Sequence, residues 1–113
     1  MNFGLPQSAI RKIYAILSRH PQVEQAILYG SRAKGDYKNG SDIDLALRGG
    51  TDLTLTTIYR IIAELDDSSL PYTVDLCIFN DISSPDLIGH IQRVGVTFYK
   101  KDEPVPELVD ISR

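Results

Sequence analysis

Hydrophobic and polar residues recur along this chain with two different periods, and each period predicts one type of element. Between positions 42 and 47, charged or small side chains alternate with Ile and Leu, which is the two-residue period of a β-strand. Over 52–67, apolar residues return every three or four positions, the spacing of an amphipathic helix. The same patterns predict helices over 6–20, 31–36, 52–67 and 81–93, and strands over 23–29, 42–47, 73–78 and 95–99.

The order of these elements predicts an α/β fold with a small mixed β-sheet flanked by helices. The helix over 52–67 stands between two strands, where it can serve as the crossover that parallel strands require. A chain of 113 residues can bury one modest core. We therefore expect a single domain over 1–101. The tail over 102–113 is too short for a core of its own, so it either frays or docks onto a partner.

The composition is that of an ordinary globular domain, with 42% hydrophobic and 24% charged residues. The formal net charge is -3 without a long basic run, so the chain lacks the positive surface with which proteins bind nucleic acid directly. No apolar stretch reaches the ~20 residues of a membrane span, and the N-terminus has no signal-peptide pattern, so we expect a cytoplasmic protein without a membrane partner. The single cysteine, Cys77, excludes an internal disulfide, and its apolar neighbours predict a place in the core.

Two carboxylates occupy one face of the predicted strand over 42–47. Side chains two residues apart in a strand point the same way, so Asp42 and Asp44 lie roughly 7 Å apart on one face. Like charges at this spacing repel each other unless a positive charge lies between them. Mg2+ takes oxygen ligands, commonly one or two carboxylates together with substrate phosphates. The pair therefore predicts a divalent-cation site, and a solvated strand edge is the simpler alternative.

The strand over 23–29 ends at Gly30-Ser31, with ten residues between Ser31 and Asp42. Gly30 lets the backbone approach a ligand closely, and Ser31 opens a short helical segment whose free N–H groups can bind a phosphate. Arg32 follows, and either neutralises phosphate charge or is solvated. An ordinary turn is the alternative interpretation of Gly-Ser. Together, a phosphate-binding turn and a metal-binding pair indicate nucleotide chemistry more specifically than either motif does alone.

A third carboxylate lies in the next predicted strand, 73–78. Asp75 is the one charge among Val, Leu, Cys and Ile, and a lone buried charge is costly without a partner. A neighbouring strand would bring Asp75 beside Asp42 and Asp44, so we predict that it completes the metal site. The alternative is an edge-strand aspartate facing water. His90 has no sequence feature that places it near the aspartates, and we expect a structural or solvated role for it.

These motifs carry a family resemblance. The pattern Gly-Ser, ten residues, Asp-Ile-Asp over 30–44 resembles the signature of the nucleotidyltransferase superfamily related to DNA polymerase β. Gly-Ser-Arg-Ala-Lys-Gly and Ser-Asp-Ile-Asp-Leu resemble its smallest prokaryotic branch, the minimal nucleotidyltransferase (MNT) proteins. The resemblance extends from the first helix to about Lys100. It implies the polymerase β-like nucleotidyltransferase core, with two metal-binding aspartates on one strand and a third on its neighbour.

The resemblance also implies a reaction, the transfer of a nucleoside monophosphate from a nucleoside triphosphate to a hydroxyl. Three carboxylates would hold two Mg2+ ions, with Mn2+ as the alternative ion, and would be the catalytic residues: Asp42, Asp44 and Asp75. The nucleotide phosphates would lie against the turn that follows the first strand: Gly30, Ser31 and Arg32.

The MNT proteins imply a partner as well. They are typically paired with a helical HEPN protein, often as the antitoxin to a HEPN ribonuclease toxin, and the modification described for the class is adenylylation of a toxin tyrosine. The resemblance therefore implies an antitoxin that transfers AMP from ATP to a HEPN-type partner and forms a hetero-oligomer with it. One alternative is a catalytically silent antitoxin that masks its partner, although all three carboxylates are present. The other is a small-molecule nucleotidyltransferase, although 113 residues leave no room for an acceptor-binding domain.

Overall fold

The computed structural model describes residues 3–105, in which helices and strands alternate along the chain. The helices are α1 (Gln7–Ser18), α2 (Ser31–Lys34), α3 (Leu55–Asp67) and α4 (Pro85–Val94), and the strands are β1 (Val23–Tyr29), β2 (Ile43–Gly49), β3 (Val74–Ile78) and β4 (Val96–Lys100). The predicted α/β class is confirmed. Most of the predicted tail, from residue 106 onward, lies outside the described residues. None of the helices within 3–105 combines the length and the apolar character needed to cross a membrane.

The four strands form one mixed sheet in the order β3-β2-β1-β4. β2 and β3 run parallel, with α3 as the crossover between them, whereas β1 is antiparallel to both β2 and β4. This arrangement matches the predicted small mixed sheet. It also puts β3 at an edge and sets β2 between β3 and β1, so residues at the start of β2 have a neighbour on each side.

One face of the sheet carries the hydrophobic core, which α1 and α3 cover. The alternating residues of β2 that are apolar, Ile43, Leu45 and Leu47, are fully buried on this face. Burying a side chain of this size contributes about 1.5–3 kcal/mol. The helices add side chains at helical spacing: Ile10, Ile13 and Leu17 from α1, and Ile58, Ile61 and Leu65 from α3. Burial of this face forces the other residues of β2, Asp44 among them, onto the opposite face.

The opposite face is covered only in part, by α4. Ile91 of α4 is buried, and the backbone after α4 approaches β1 so closely that a Cβ on Gly95 would lie 2.7 Å from the Ile27 side chain. Further along the sheet, Asp44 on β2 is half-buried and Asp75 on β3 is exposed. This face therefore has a packed region over β1 and an open region over β2 and β3.

Two helices begin later than predicted. α3 starts at Leu55 after Thr54, three residues after the predicted start at 52. α4 starts at Pro85, where the Ser84 hydroxyl accepts a hydrogen bond from the Leu87 N–H at 3.3 Å. Proline is favoured at the first helical position because its fixed φ suits a helix and its missing N–H is not needed there. The residues before it, Phe79–Asp81, form a separate 3-10 turn.

Candidate active site

The sheet places Asp44 and Asp75 side by side. The parallel register of β2 and β3 aligns the two residues, and neighbouring strands lie about 4.8 Å apart. On its other side Asp44 is aligned with Tyr29, the last residue of β1. Asp42 is exposed and lies one residue before β2 begins. The predicted adjacency of Asp75 and Asp44 is thus present, while the roles of the three carboxylates stay predictions.

Negative charge is crowded around Asp44. Burial raises the pKa of the Asp44 carboxyl above its ordinary value of 3.8, and the charges of Asp75 and Asp42 raise it further. A hydrogen bond between the Asp44 and Asp75 side chains acts in the same direction, and His90 opposes it. The site therefore favours a proton or another positive charge next to Asp44.

The three carboxylates do not form a ready-made cage. Within residues 3–105, no group of three or more Asp, Glu, His or Cys side chains is arranged so that it could hold a metal ion. The best-formed set of donors is the Asp44 and Asp75 pair, on which Asp42 acts through its charge. Adjacent carboxylates fit a hard divalent cation, since Mg2+ is commonly bound by one or two carboxylates while water and substrate phosphates complete its ligands.

Gly30 connects β1 to α2 and lies against Asp44. Its backbone has φ 77° and ψ -156°, a conformation open to glycine and rarely adopted by other residues. A Cβ at this position would overlap Oδ2 of Asp44. Ser31 comes next, half-buried at the start of α2. The predicted phosphate-binding turn and the acidic pair therefore occupy one location, and glycine is required for the close approach.

Arg32 is buried, with only 2% of its surface exposed. Its Nε and Nη2 donate hydrogen bonds to the Ser41 carbonyl at 3.1 and 2.9 Å, and its Nη1 donates to the Phe3 carbonyl at 2.8 Å. The rings of Tyr37 and Tyr72 lie 5.2 and 5.3 Å from the guanidinium carbon, within cation–π range. Carbonyls and aromatic faces thus compensate the buried charge.

These partners give Arg32 a structural task beside the site. Ser41 directly precedes Asp42, and its hydroxyl accepts a hydrogen bond from the Lys38 N–H at 2.8 Å. Arg32 therefore fixes the loop from which Asp42 emerges. The predicted contact between Arg32 and a nucleotide phosphate stays a prediction, and the guanidinium would have to give up these carbonyls to make it.

A further group beside the acidic pair was missed by reasoning from the sequence. No sequence feature places His90 near the aspartates, but α4 packs over β1 and brings it against Tyr29, with ring centroids 6.3 Å apart. The charge of His90 also acts on Asp44. The signal available in the sequence was the position of His90 three residues after Leu87, which places it at the margin of the apolar side of α4.

Cys77 belongs to the same group. Its predicted place in the core is wrong, since it is half-buried on the face of β3 that carries Asp75, and its sulfur lies 3.6 Å from the Tyr29 hydroxyl. Burial raises the pKa of Cys77 and of Tyr29, and the charges of Asp44 and Asp75 add to the effect on Tyr29. Both groups are therefore neutral around pH 7 and form a non-ionic wall beside the carboxylates. Strand alternation from Asp75 was the signal that could have placed Cys77 here.

Comparison with known proteins identifies relatives of this arrangement. A family model described as Polymerase beta, Nucleotidyltransferase matches residues 11–104. A Methanocaldococcus jannaschii protein with the provisional name protein adenylyltransferase is 36% identical over 72 residues, which span 64% of this chain and 75% of the relative.

Solved structures share the fold. A protein described provisionally as a minimal nucleotidyltransferase superposes with a TM-score of 0.59 at 25% identity, over 82% of this chain and 96% of that one. A chain of a toxin–antitoxin complex with AMP-PNP gives 0.64 at 23% identity, covering 87% and 76% of the two chains. A chain of the complex between a tri-AMPylated Shewanella oneidensis HEPN toxin and an MNT antitoxin gives 0.61 at 22% identity, covering 84% and 72%.

The contact between Gly30 and Asp44 predicts a specific effect of substitution. Gly30→Ala should lose more stability than Gly40→Ala, because both positions have positive φ but only the Cβ at Gly30 would overlap Asp44. A non-glycine residue in such a sparsely populated backbone conformation costs about 1–3 kcal/mol, and at Gly30, where ψ is -156°, the overlap with Asp44 adds to this cost. Urea unfolding gives both values. Equal losses in the two variants would contradict a close approach of the turn to Asp44.

The raised pKa of Asp44 predicts how stability depends on pH when divalent cations are removed by a chelator. Above pH 3.8 the unfolded state loses the Asp44 proton while the native state still binds it, so the free energy of unfolding of the wild type falls as pH rises through this interval. The Asp44→Asn variant has no titratable proton at this position, so its stability relative to the wild type should increase with pH and then level off. Asp67→Asn, at an exposed position on α3, is the control. Denaturant unfolding from about pH 4 to about pH 7 checks the trend, and a pH-independent difference for Asp44→Asn would refute it.

The buried position of Arg32 predicts a large structural cost. Arg32→Met should lower the free energy of unfolding by about 1–3 kcal/mol, because it leaves the carbonyls of Phe3 and Ser41 without their hydrogen-bond donors. Arg60→Met, on the exposed side of α3, should change it by less than about 0.5 kcal/mol. Thermal unfolding of both variants is the measurement. Similar melting curves for both would argue against a structural role for Arg32.

Proposed function

Because the chain belongs to the polymerase β nucleotidyltransferase family, we propose that it transfers AMP from ATP to a hydroxyl group of a HEPN-type partner protein. The family match confirms the resemblance predicted from the Gly-Ser turn and the Asp-Ile-Asp strand. The protein is a nucleotidyltransferase, similar in sequence to a protein adenylyltransferase and in fold to chains of toxin–antitoxin complexes. The nucleotide, the acceptor and the metal dependence are the parts that we propose.

The observation that carries the proposal is the position of the Asp44 and Asp75 pair directly beside the turn at Gly30. Asp44 lies between β1, which ends in that turn, and the edge strand β3, which carries Asp75. Triphosphate on the β1 side and acceptor on the β3 side would thus meet across Asp44. Such an arrangement suits an in-line displacement, in which the attacking and leaving oxygens lie on opposite sides of the phosphorus.

The proposed reaction forms one O–P bond and breaks another. The acceptor oxygen attacks the α-phosphorus of ATP, the new O–P bond forms, and the bond from the α-phosphorus to the bridging oxygen breaks, so that pyrophosphate leaves. Asp75, exposed at the acceptor side, takes the proton of the attacking hydroxyl. Ser31 and the backbone at Gly30 bind the β- and γ-phosphates. Positioning and charge neutralisation supply most of the catalysis.

Asp44 and Asp75, with Asp42, are the residues that would hold Mg2+. When bound, the ion would offset the negative charge on the phosphate oxygens and favour ionisation of the acceptor hydroxyl. Its charge would also remove the repulsion that now raises the pKa of Asp44. The buried Arg32 would keep the loop before Asp42 in place, so that the third carboxylate can reach the pair.

The choice of AMP and of a HEPN-type acceptor rests on the relatives. One structural relative is a complex with AMP-PNP, and another contains a tri-AMPylated HEPN toxin with its MNT antitoxin. The sequence relative carries the name protein adenylyltransferase. These names describe those proteins, and together they support the same donor, the same type of acceptor and an antitoxin role here.

The test is an assay with purified protein, Mg2+, labelled ATP and a HEPN-type protein from the same genome. We expect the mass of the partner to increase by one or more AMP units, and Asp44→Asn and Asp75→Asn to abolish the increase. Asp67→Asn, an exposed aspartate away from the site, should retain it. Unlabelled GTP, CTP and UTP as competitors test the choice of ATP.

Two other results would replace the proposal. Tight binding and neutralisation of the partner by Asp44→Asn, with no AMP transferred by the wild type, would mean that the protein acts by masking alone. Pyrophosphate release without label on the partner would mean that the acceptor is a small molecule.

A further inference from the structure

A groove runs between α3 and the edge strand β3 and extends to Asp75. Its volume is about 530 Å³, within the range of ligand-binding clefts. Ile62 and Asp66 of α3 form one wall, Leu70 and Tyr72 lie in the connecting loop, and Val74 and Asp75 belong to β3. We call this feature the α3–β3 groove. Its lining includes Asp75, and because β3 is the edge strand, a segment in the groove can pass round that edge to the Asp75 carboxylate on the opposite face.

An exposed apolar stripe leads into the groove along α3. Leu55 and Tyr59 are 58% and 64% exposed, and with Ile62 they recur at helical spacing on one side of the helix. Large apolar side chains exposed in a row often mark a binding surface. The stripe is aligned through Ile62 with the groove, whose lining extends to Asp75.

The charge of the α3–β3 groove is negative. Asp66 and Asp75 lie in its lining, and among residues 3–105 that line it there is no Lys, Arg or His. A triphosphate would be repelled there, whereas a cationic side chain would be attracted. The groove also lies on the β3 side of Asp44, while the turn at Gly30 lies on the β1 side. Charge and position thus both assign the groove to the acceptor.

Contacts hold the floor of the groove, and within residues 3–105 no further strand pairs with the outer edge of β3. The ring of Tyr72 stacks on the buried Arg32 guanidinium, and the Thr73 carbonyl accepts a hydrogen bond from the Ile43 N–H at 2.9 Å. β3 pairs with β2 on one side and lies at the edge of the sheet on the other. Edge strands bind extended peptides through unpaired N–H and C=O groups.

We propose that the α3–β3 groove docks the acceptor as an extended polypeptide segment with apolar residues and a basic side chain close to the hydroxyl that receives AMP. The basic residue pairs with Asp66, the apolar residues cover Ile62 and Leu70, and the hydroxyl reaches Asp75. The inference rests on the proposed function for its chemistry, but peptide binding is independent of ATP. The two can therefore be tested separately.

The test uses two synthetic peptides of equal length, each with a central tyrosine between valines, flanked by lysines in one and by glutamates in the other. Amide chemical shifts of the isotope-labelled protein report binding without ATP, and mass spectrometry with ATP and Mg2+ reports AMP transfer. Asp66→Lys reverses a charge inside the groove. Asp67→Lys makes the same change one residue away, where the side chain lies near α1 instead, and is the matched control.

We expect the lysine peptide to shift the amides of the groove, and the glutamate peptide to bind much more weakly. Asp66→Lys should lower the affinity for the lysine peptide by about tenfold or more, because it places like charges next to each other. Asp67→Lys should leave this affinity unchanged. AMP transfer to the lysine peptide should follow the same order. Binding of the glutamate peptide by the Asp66→Lys variant, with higher affinity than by the wild type, would be the strongest support.

Several results would overturn the groove as the docking site. Shifts that map elsewhere, or equal binding and transfer by both variants, would do so while leaving the nucleotidyltransferase activity intact. Tighter ATP binding by Asp66→Lys with unchanged peptide binding would assign the groove to the nucleotide. A changed oligomeric state with unchanged peptide binding would assign it to a second copy of the chain. Peptide bound in the groove, with AMP transferred neither to the peptide nor to the HEPN-type partner, would instead refute the proposed function and leave the docking site standing.

Discussion

Repulsion between Asp44 and Asp75 is the constraint on which the site depends. The parallel register of β2 and β3 aligns the two carboxylates, and their mutual repulsion acts against the pairing of the strands. What holds them together lies on the other face of the sheet, where Leu45 of β2 is completely buried under the helices. The hydrophobic layer thus keeps the two carboxyl groups close despite their repulsion. Binding of a positive ligand beside the carboxylates is favoured, because it would relieve a repulsion that the folded protein maintains at a cost in stability.

The positive side chain nearest in sequence to the site does not fill that place. Arg32 directs its guanidinium away from the carboxylates, to the carbonyls of Phe3 and Ser41. A buried charge requires such compensation, and an arginine that is compensated by carbonyls cannot also neutralise Asp44. The consequence is a separation of tasks. Arg32 orders the loop before Asp42 and contacts the Tyr72 ring in the α3–β3 groove. The acidic pair is left to bind a cation from outside the protein.

The sequence was informative where local pattern and chemistry coincide. Alternation in 42–47 placed Asp44 on the face opposite Leu45, and Gly30 marked the turn at the end of β1. Adjacency of Asp75 followed from the crossover through 52–67, because a helix between two strands predicts that they run parallel and close together. Each of these inferences needed only the residues within one element or one connection.

What the sequence did not reveal depends on contacts between distant elements. His90 reaches Tyr29 because α4 packs on the face of β1 that α1 and α3 leave free, and the periodicity of a helix says which of its sides is apolar but not which strand it covers. The burial of Arg32 could not be predicted for the same reason, because it depends on the backbone at Phe3 and on Tyr72, which are far away in sequence. The exposure of the site on the β3 side also depends on how distant elements pack. α4 contacts β1 and leaves Asp75 on the edge strand β3 exposed, so an incoming hydroxyl can approach the acidic pair from the β3 side.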